Sequence, residues 1–352
     1  MSTSPDLRTL LGTALPIVQA PMAGGFNTPD SVAAASNAGV LGSTGAAYLT
    51  PAAIREHVAA IRARTASPFS VNLFAGGDRE SHDVDPAPML ALLAPLHERF
   101  GLPPPVAPGP WPYDFGEQLA ALVEVDVRIV SFTFGLPSDD TIARLRADGR
   151  VVIGTATNVA EALRCEAAGC SALIAQGTEA GGHRGTFIGE FASSLTGLMA
   201  LVPMIVDAVK IPVLAAGGIM DRRGVAAARA LGASGVVCGT AFMDVVEAGT
   251  SAAHRRALAT ARDGETVITR AFSGRPARGL ANTFERAADA RPDDILPYPK
   301  QNALTRPLRT AAAAANDPEY LSLWAGQATP LAMRGVRTAD VVAELAAGWR
   351  DE

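Results

Sequence analysis

Cysteine is scarce in this chain of 352 residues, and its scarcity limits the kinds of protein that the chain can be. The three cysteines, Cys165, Cys170 and Cys238, are odd in number and irregular in spacing, which does not suit a disulfide framework. We therefore predict that all three are small core residues of a protein in the reducing cytoplasm. No cluster of His, Cys and carboxylate residues has metal-ligand spacing in the sequence, so we expect no metal site.

Positive charge and long apolar runs are scarce as well. The net charge is −5, and the only lysines are Lys210 and Lys300. A nucleic acid or an anionic membrane surface would require a basic face, so we expect neither as a partner, and no protein partner is indicated. No apolar run is long enough to span a membrane and no secretory signal is evident, which agrees with a cytoplasmic protein.

Two common catalytic motifs are missing from the sequence. There is no Gly-x-x-x-x-Gly-Lys-Ser/Thr phosphate loop and no Gly-x-Ser-x-Gly nucleophile turn. Because metal-ligand spacing is lacking too, the chemistry is expected to come from a bound organic cofactor.

What the chain does contain is a recurrent unit of an Ala-rich helix, a glycine and a short apolar strand. The unit occurs at residues 33–45, 160–177 and 225–240. The glycine suits the position just after a helix, and the Thr-Pro pairs that begin at Thr28 and Thr50 suit helix starts. Hydrophobic residues make up 48% of the chain and aromatic residues only 5%, which is typical of parallel strands buried on both faces.

Eight strands can be counted in this pattern, each alternating with helical sequence. They comprise residues 16–22, 40–45, 69–74, 129–134, 151–155, 172–176, 212–217 and 235–241. Right-handed crossovers make such strands parallel, and eight of them can close into an α/β TIM barrel of the (β/α)8 type. An open doubly wound sheet is the alternative, but residues 20–25 lack its Gly-x-Gly-x-x-Gly turn.

Two stretches do not fit the repeated unit. Residues 76–127 are too long for a simple crossover and contain a Pro-rich piece near Trp111 and Tyr113. The segment after strand eight is mostly helical in pattern and is predicted to form a smaller lid domain. The predicted barrel comprises residues 1–244, with an excursion at 76–127. A helical lid domain is predicted at residues 245–328. Residues 329–352 are predicted to contain a C-terminal helix that returns to the barrel.

Active sites of such barrels form at the carboxyl ends of the strands, and the residues there are informative. Strand six is followed by a stretch with four glycines at residues 175–185, in which His183 is suited to contact a ligand and exchange a proton. The residues predicted to bind a cofactor at the strand ends are Met22, Ala23, Gly24, Asn72, Gln176, Gly181, Gly182, Gly217, Gly218, Gly239 and Thr240.

The last two strand ends have the pattern of a phosphate site. Gly217-Gly218 and Gly239-Thr240 offer bare backbone and one hydroxyl, where barrels often bind phosphate with backbone N–H groups. Asn72 can both donate to and accept from the edge of a planar heterocycle. A phosphate-bearing planar heterocycle indicates flavin mononucleotide, FMN, as the first candidate cofactor.

The other four histidines are predicted to have structural or solvated positions. His57 and His97 fall in expected surface helices, His82 in the long excursion and His254 in the helical insertion.

The chain resembles nitronate monooxygenases, formerly called 2-nitropropane dioxygenases, of the bacterial class I type. The motifs that it shares span most of the chain in order. They are Gln19-Ala20-Pro21-Met22, Val71-Asn72-Leu73-Phe74, residues 175–185, Ala215-Ala216-Gly217-Gly218-Ile219-Met220, Gly239-Thr240-Ala241-Phe242, Ser273-Gly274-Arg275 with Ala277-Arg278-Gly279, and Trp324-Ala325-Gly326-Gln327.

This resemblance implies an FMN barrel in which His183 is the active-site histidine and Gln327 lies near the cofactor. It implies oxidation of alkyl nitronates, such as propionate 3-nitronate, with O2 to an aldehyde-level product plus nitrite and nitrate. The resemblance also implies that the flavin passes through a semiquinone and needs no reduced nicotinamide.

The substrate side departs from the family pattern. After Tyr298, relatives carry a second tyrosine and a lysine that face the substrate carboxylate, whereas this chain has Asn302 and Arg306. Arg306 is therefore the predicted partner of the substrate anion, beside Tyr298 and Ser273, unless substrate preference differs.

Three alternatives to this function stay open. One is an FMN-dependent NAD(P)H:quinone reductase or enoyl-thioester reductase of the same fold. A nucleotide-processing barrel of the inosinate dehydrogenase type is disfavoured, because no cysteine lies in the loop after strand six. The third is a non-catalytic flavin-binding module.

Overall fold

A computed structural model describes residues 6–76, 84–109 and 111–349. It contains all eight predicted barrel strands, with small differences at their ends, and three further short strands. The strands are β1 (Ile17–Gln19), β2 (Gly42–Gly45), β3 (Phe69–Phe74), β4 (Ile129–Thr133), β5 (Val151–Ala156), β6 (Ala172–Gln176), β7 (Gly182–His183), β8 (Val213–Ala216), β9 (Gly235–Cys238), β10 (Thr266–Thr269) and β11 (Ala277–Leu280).

Thirteen α-helices are present in the described residues. They are α1 (Leu7–Leu11), α2 (Pro29–Asn37), α3 (Pro51–Arg62), α4 (Ala87–Arg99), α5 (Phe115–Glu124), α6 (Asp139–Ala147), α7 (Val159–Ala167), α8 (Leu198–Ala208), α9 (Arg222–Ala230), α10 (Ala252–Thr260), α11 (Thr283–Asp289), α12 (Lys300–Ala314) and α13 (Thr338–Ala347). The predicted helix starts are confirmed, since Thr28 and Thr50 accept the N–H groups of Ser31 and Ala53.

Eight parallel strands form the barrel, in the order β1-β9-β8-β6-β5-β4-β3-β2. A parallel bridge between Val18 and Leu41 joins the first strand to the last, and the N–H of Leu41 donates to Ile17 O at 2.9 Å. The predicted TIM barrel is therefore confirmed. Its aliphatic strands are buried on both faces, as parallel strands between helices require.

The three cysteines are buried and free, as predicted. None of the helices in the described ranges is long and apolar enough to cross a membrane.

The segment 245–328, called the cap below, has a second apolar core of its own. It contains helices α10, α11 and α12, in agreement with the mostly helical pattern, and also the hairpin β10–β11, which was not predicted. The β-branched sequence Thr-Val-Ile-Thr of β10 favours a strand, whereas the sequence Ala-Arg-Gly-Leu of β11 gives little sign of one. The hairpin matters for the site, because β11 pairs in antiparallel fashion with β7, which contains His183.

Within the described residues, the excursion at 76–127 contains two helices, α4 and α5. Helix α5 packs on the barrel against α3 and β3, whereas Met89 and Leu93 of α4 are buried in the core of the cap. His97 is therefore buried and not on a surface helix, and its Nδ1 lies 2.6 Å from Pro103 O. At the other end of the chain, α13 packs against α2 and α9 of the barrel, which agrees with the predicted return.

Candidate active site

A cavity of about 200 Å³ lies at the carboxyl ends of the barrel strands. Most of the residues predicted at the strand ends meet there. Those that line the cavity are Met22, Ala23, Asn72, Gln176, Gly181, Gly182, His183, Gly217, Gly218, Gly239 and Thr240. The barrel topology thus brings together residues that lie up to 218 positions apart in the sequence, from Met22 to Thr240.

Bare backbone forms one end of the cavity. Gly217 and Gly218 have φ angles of 127° and 67°, which side-chain-bearing residues rarely adopt. The N–H groups of Gly218, Gly239 and Thr240 donate no hydrogen bond to another backbone group of the described residues. Such unpaired N–H groups at a buried turn are suited to bind an anion such as phosphate.

The amides of Asn72 and Gln176 have different tasks. Asn72 donates from Nδ2 to the hydroxyls of Ser131 and Thr133 at 3.0 and 3.1 Å, which leaves its Oδ1 as an acceptor for a ligand. Gln176 donates to His183 O at 3.0 Å and accepts from Gly185 N at 2.8 Å. Gln176 therefore lines the cavity and also holds the loop that carries His183.

Two buried charged residues that have no contact with the cavity fix the shape of this loop. The Arg184 guanidinium donates to the carbonyls of Gln176, Gly177 and Ser194. The Glu161 carboxylate, on α7, accepts the N–H groups of Phe187 and Ile188 as well as two bonds from Thr157. Sequence reasoning did not identify Glu161, because a lone Glu in an amphipathic helix gives no signal.

His183 lies at the boundary between the glycine-lined cavity and a group of aromatic rings. Its ring centroid is 5.5 Å from those of Phe134 and Trp324, and 6.2 Å from those of Phe74 and Tyr298. Tyr298, which was predicted to contact the substrate, is thus close to His183. The rings leave little room for water around the imidazole.

The imidazole is held by Ser273. His183 Nε2 lies 2.8 Å from Ser273 Oγ, which in turn donates to Arg275 O at 3.0 Å. A serine hydroxyl has one proton, so when that proton goes to Arg275 O the Nε2 of His183 is the donor and Nδ1 keeps a lone pair. The predicted residue Ser273 therefore contacts His183.

His183 is neutral in this setting. Burial, together with the nearby positive charges of Arg275 and Arg309, lowers its pKa to about 3. The Arg275 guanidinium lies 3.9 Å from the centroid of the Phe134 ring.

Three predicted residues lie elsewhere. Arg306 is exposed and donates to the Tyr113 hydroxyl at 3.1 Å. Gln327 does not line the cavity; its side chain is exposed, and its N–H donates to Glu179 O at 3.0 Å. Gly24 lines a neighbouring space and not the cavity itself.

That neighbouring space, called the outer chamber below, has a volume of about 540 Å³. It shares lining residues with the cavity, including Met22, Tyr48, His183 and Trp324. Helix α12 of the cap contributes Asn302, Arg306 and Arg309 to its wall. Sequence reasoning missed Arg309, which lies one helical turn after Arg306.

The remaining histidines have structural contacts where they are described. His57 Nε2 lies 3.0 Å from the Thr44 hydroxyl, and burial lowers the pKa of His57. His254 is buried with Nε2 3.2 Å from Trp324 O, and burial lowers its pKa to about 4. His82 lies outside the described residues.

Comparison with known proteins agrees with this geometry. Residues 6–348 match the family model described as nitronate monooxygenase. The chain is 41% identical over 334 residues to a probable nitronate monooxygenase of Staphylococcus saprophyticus, which covers 94% of each chain. It is 39% identical over 312 residues to a probable nitronate monooxygenase of Bacillus subtilis, which covers 89% of each chain.

Solved structures show the same relationship. A nitroalkane oxidase from Streptomyces ansochromogenes superposes with a TM-score of 0.89 at 39% identity, over 97% of each chain. FabK from Thermotoga maritima superposes with a TM-score of 0.75 at 29% identity, over 97% of this chain and 94% of that one. The chain therefore belongs to the nitronate monooxygenase family, and it is an enzyme, a flavin-dependent oxidoreductase.

Proposed function

We propose that this enzyme is an FMN-dependent nitronate monooxygenase. Its substrates are alkyl nitronates, such as propionate 3-nitronate, and O2, and its products are an aldehyde-level compound, nitrite and nitrate. The observation that supports this most strongly is the position of His183, which separates a glycine-lined cavity from a chamber that contains arginines. An anion that enters through the chamber meets His183 at the edge of the cavity.

The cavity fits a flavin with a phosphate. Gly218, Gly239 and Thr240 present unpaired N–H groups for the phosphate, and Asn72 presents an amide oxygen at the end of β3. The site lacks a lysine among its described lining residues, so backbone groups would hold the phosphate. FMN, when bound, supplies the electron acceptor for oxidation of the nitronate.

His183 acts on the substrate as a neutral imidazole that can gain a proton. A nitronate is already a carbanion equivalent, so no strong base is required. An anion beside His183 favours its charged form, and the pKa of His183 should rise from about 3 as the nitronate binds. The imidazolium then stabilises the negative nitronate oxygens.

The surrounding side chains orient this imidazole and exclude water. Ser273 fixes the ring through Nε2, and β7–β11 pairing fixes the backbone of His183. The rings of Phe74, Phe134 and Trp324 enclose the ring and strengthen electrostatic interactions in the site.

The direct test is to add propionate 3-nitronate to the purified, flavin-loaded enzyme and to follow oxygen uptake and nitrite. Turnover without reduced nicotinamide supports the proposal. Anaerobic addition of NADH or NADPH in place of the nitronate provides the contrast. Rapid bleaching of the flavin without nitronate turnover would instead identify a reductase, and a yellow protein inert to both would be a flavin-binding module.

A further inference from the structure

Most of the easily oxidised aromatic rings of this chain are gathered at the active site. Aromatic residues make up only 5% of the sequence, which has four tyrosines and three tryptophans. Five of these seven rings lie at the cavity or in a series of ring contacts that begins there, namely Tyr48, Trp111, Tyr113, Tyr298 and Trp324. This clustering, in a chain that is otherwise poor in aromatic residues, needs a physical reason.

One series of contacts leads from the cavity to the surface. Tyr48 lines the cavity, and its ring centroid lies 6.0 Å from that of Trp111. The Trp111 centroid lies 5.1 Å from that of Tyr113, a half-buried residue whose hydroxyl accepts a hydrogen bond from the exposed Arg306. Both distances are those of aromatic rings in contact. Tyr48, Trp111 and Tyr113, called the ring series below, thus connect the cavity with solvent.

Contact with the substrate does not explain the outer two rings of the series. Trp111 and Tyr113 line neither the cavity nor the outer chamber. Exclusion of water from His183 does not require them either, because Phe74 and Phe134 already pack beside its imidazole. What a tryptophan and a tyrosine offer beyond a phenylalanine is a ring that gives up an electron far more readily.

The three rings differ in where they can release a proton, which decides where an electron vacancy comes to rest. An oxidised tyrosine must lose its phenol proton, and the Tyr48 hydroxyl is enclosed, with a pKa that burial raises. The indole of Trp111 can lose an electron without losing a proton at once. Tyr113 is half-buried and can give its proton to water, and the positive charge of Arg306 favours that loss. A vacancy that starts at Tyr48 therefore moves through Trp111 and stays on Tyr113.

We propose that the ring series is an electron-donor path, by which Tyr113 supplies one electron through Trp111 and Tyr48 to a one-electron oxidant in the flavin cavity. The Tyr113 phenol becomes a neutral radical and its proton goes to solvent water, while the oxidant gains the electron. The oxidant is the light-excited flavin or, during turnover, a radical such as nitrogen dioxide. The path removes such an oxidant before it damages His183 or the cofactor. It needs a bound flavin but no nitronate, so it goes beyond the proposed function.

A light-flash experiment without nitronate tests the path. The flash excites the flavin of the loaded enzyme, and ferricyanide in the solution reoxidises the reduced flavin, so that the electron vacancy stays on the protein. Electron paramagnetic resonance then identifies the type of residue that carries it. The parent enzyme should give a tyrosyl radical. Tyr113→Phe should replace this signal with that of a tryptophanyl radical, and Trp111→Phe should lose both long-lived signals.

Tyr320→Phe and Trp349→Phe are the matched controls, because Tyr320 lies in the core of the cap and Trp349 packs on the core of the barrel. Both variants should keep the tyrosyl signal at the parent level. A tyrosyl signal that survives Trp111→Phe or Tyr113→Phe, or that disappears in either control, would overturn the path, as would a parent enzyme without a protein radical. Tyr113→Phe, at a half-buried position, decides the question if Trp111→Phe does not retain flavin.

Turnover gives a second readout that separates this inference from the proposed function. With a nitronate substrate, Trp111→Phe should keep an initial kcat near the parent value and complete fewer turnovers before it is inactivated. Equal numbers of turnovers in parent and variant would contradict the protective role. A protein that forms the tyrosyl radical but oxidises no nitronate would contradict only the proposed function, whereas nitronate oxidation without any protein radical would contradict only the path.

Discussion

The two parts of the candidate active site are built by opposite means, and we propose that the glycine-lined cavity is its flavin side and the region around His183 its substrate side. On the flavin side, glycines at the ends of β8 and β9 expose backbone N–H groups, and binding depends on side chains that are absent. On the substrate side, His183 is surrounded by Ser273, Tyr298 and Trp324 of the cap, and binding depends on side chains that are present. An added side chain on the flavin side should therefore impair flavin binding, whereas substrate binding depends on the chemistry of single side chains.

This contrast is tested most strongly by His183→Asn. Loss of the imidazole should lower kcat for a nitronate about 10²- to 10⁴-fold, the range for a positioned acid–base group. Because His183 belongs to the substrate side, the flavin content should stay close to that of the parent enzyme. Steady-state oxygen uptake and the flavin absorbance per protein measure the two effects.

His97→Asn is the matched control for loss of a buried imidazole, since His97 lies under the cap beside Pro103 and not in the site. It should lower stability and leave kcat near the parent value. Equal losses of kcat in both variants, or loss of flavin in His183→Asn, would contradict the placement of His183 on the substrate side.

On the flavin side the corresponding change is Gly181→Ala. A Cβ at Gly181 would lie 2.6 Å from Ala325 C and from Gly326 N, so the loop after β6 and the end of the cap must move apart. Overpacking of this kind costs about 1–3 kcal/mol. We expect flavin to be lost on gel filtration, with a reduced melting temperature.

Gly109→Ala is the control, because a Cβ there has nothing within 4 Å. Its flavin content should match that of the parent. Full flavin retention in Gly181→Ala, with turnover lowered instead, would show that this loop serves the substrate and not the cofactor.

The flavin side was the more predictable of the two for a physical reason. Most βα units are specified by local signals, namely a capping side chain such as Thr28 or Asn158, an apolar run, and a glycine after the helix such as Gly39 or Gly169, with φ angles of 89° and 86°. Barrel closure then places the strand ends together without any further information. The convergence of Met22, Asn72 and Gly239 at one end of the barrel could thus be predicted from sequence.

The substrate side could not be predicted to the same degree, because it depends on long-range packing. The pairing of β11 with His183 joins segments about 95 residues apart, and β11 has no strand pattern of its own. Both Arg306 and Arg309 line the outer chamber, but which of them is the more buried depends on how α12 is rotated, and the sequence of one Ala- and Arg-containing helix does not fix that rotation. His97 was misplaced for the same reason, since burial of α4 requires the cap.

A third prediction follows from two histidines that line the outer chamber, namely His183, which is half-buried, and His254, which is buried. His183 and His254 have pKa values of about 3 and about 4 when folded, below the ordinary value of 6.5. Below pH 6.5 the unfolded chain binds these protons and the folded chain does not, so stability is complete above pH 6.5 and falls as the pH drops toward 4. Each group adds a slope of up to about 1.4 kcal/mol per pH unit.

Urea unfolding of the flavin-loaded enzyme between pH 4.5 and 7.5 measures this slope. His254→Asn should flatten it by one group, and the double variant with His183→Asn by two. A slope that neither substitution alters would mean that carboxylates account for the acid sensitivity instead.

The smallest expected effect concerns the hydrogen bond between His183, on β7, and Ser273, which lies between β10 and β11. Ser273→Ala removes the acceptor of His183 Nε2 and leaves the imidazole free to rotate, which should lower kcat about 3- to 10-fold, the worth of one neutral hydrogen bond. If Ser273 positions the ring, the pH profile of kcat should shift as well, because the proton on Nε2 loses its partner. Ser43→Ala is the matched control, since Ser43 is equally buried and its hydroxyl lies 2.5 Å from the Ser70 hydroxyl in the barrel, away from His183. That control should lose stability without a change in the pH profile. An unshifted profile in Ser273→Ala would reduce Ser273 to a packing residue and would leave His183 oriented by its backbone and the aromatic rings alone.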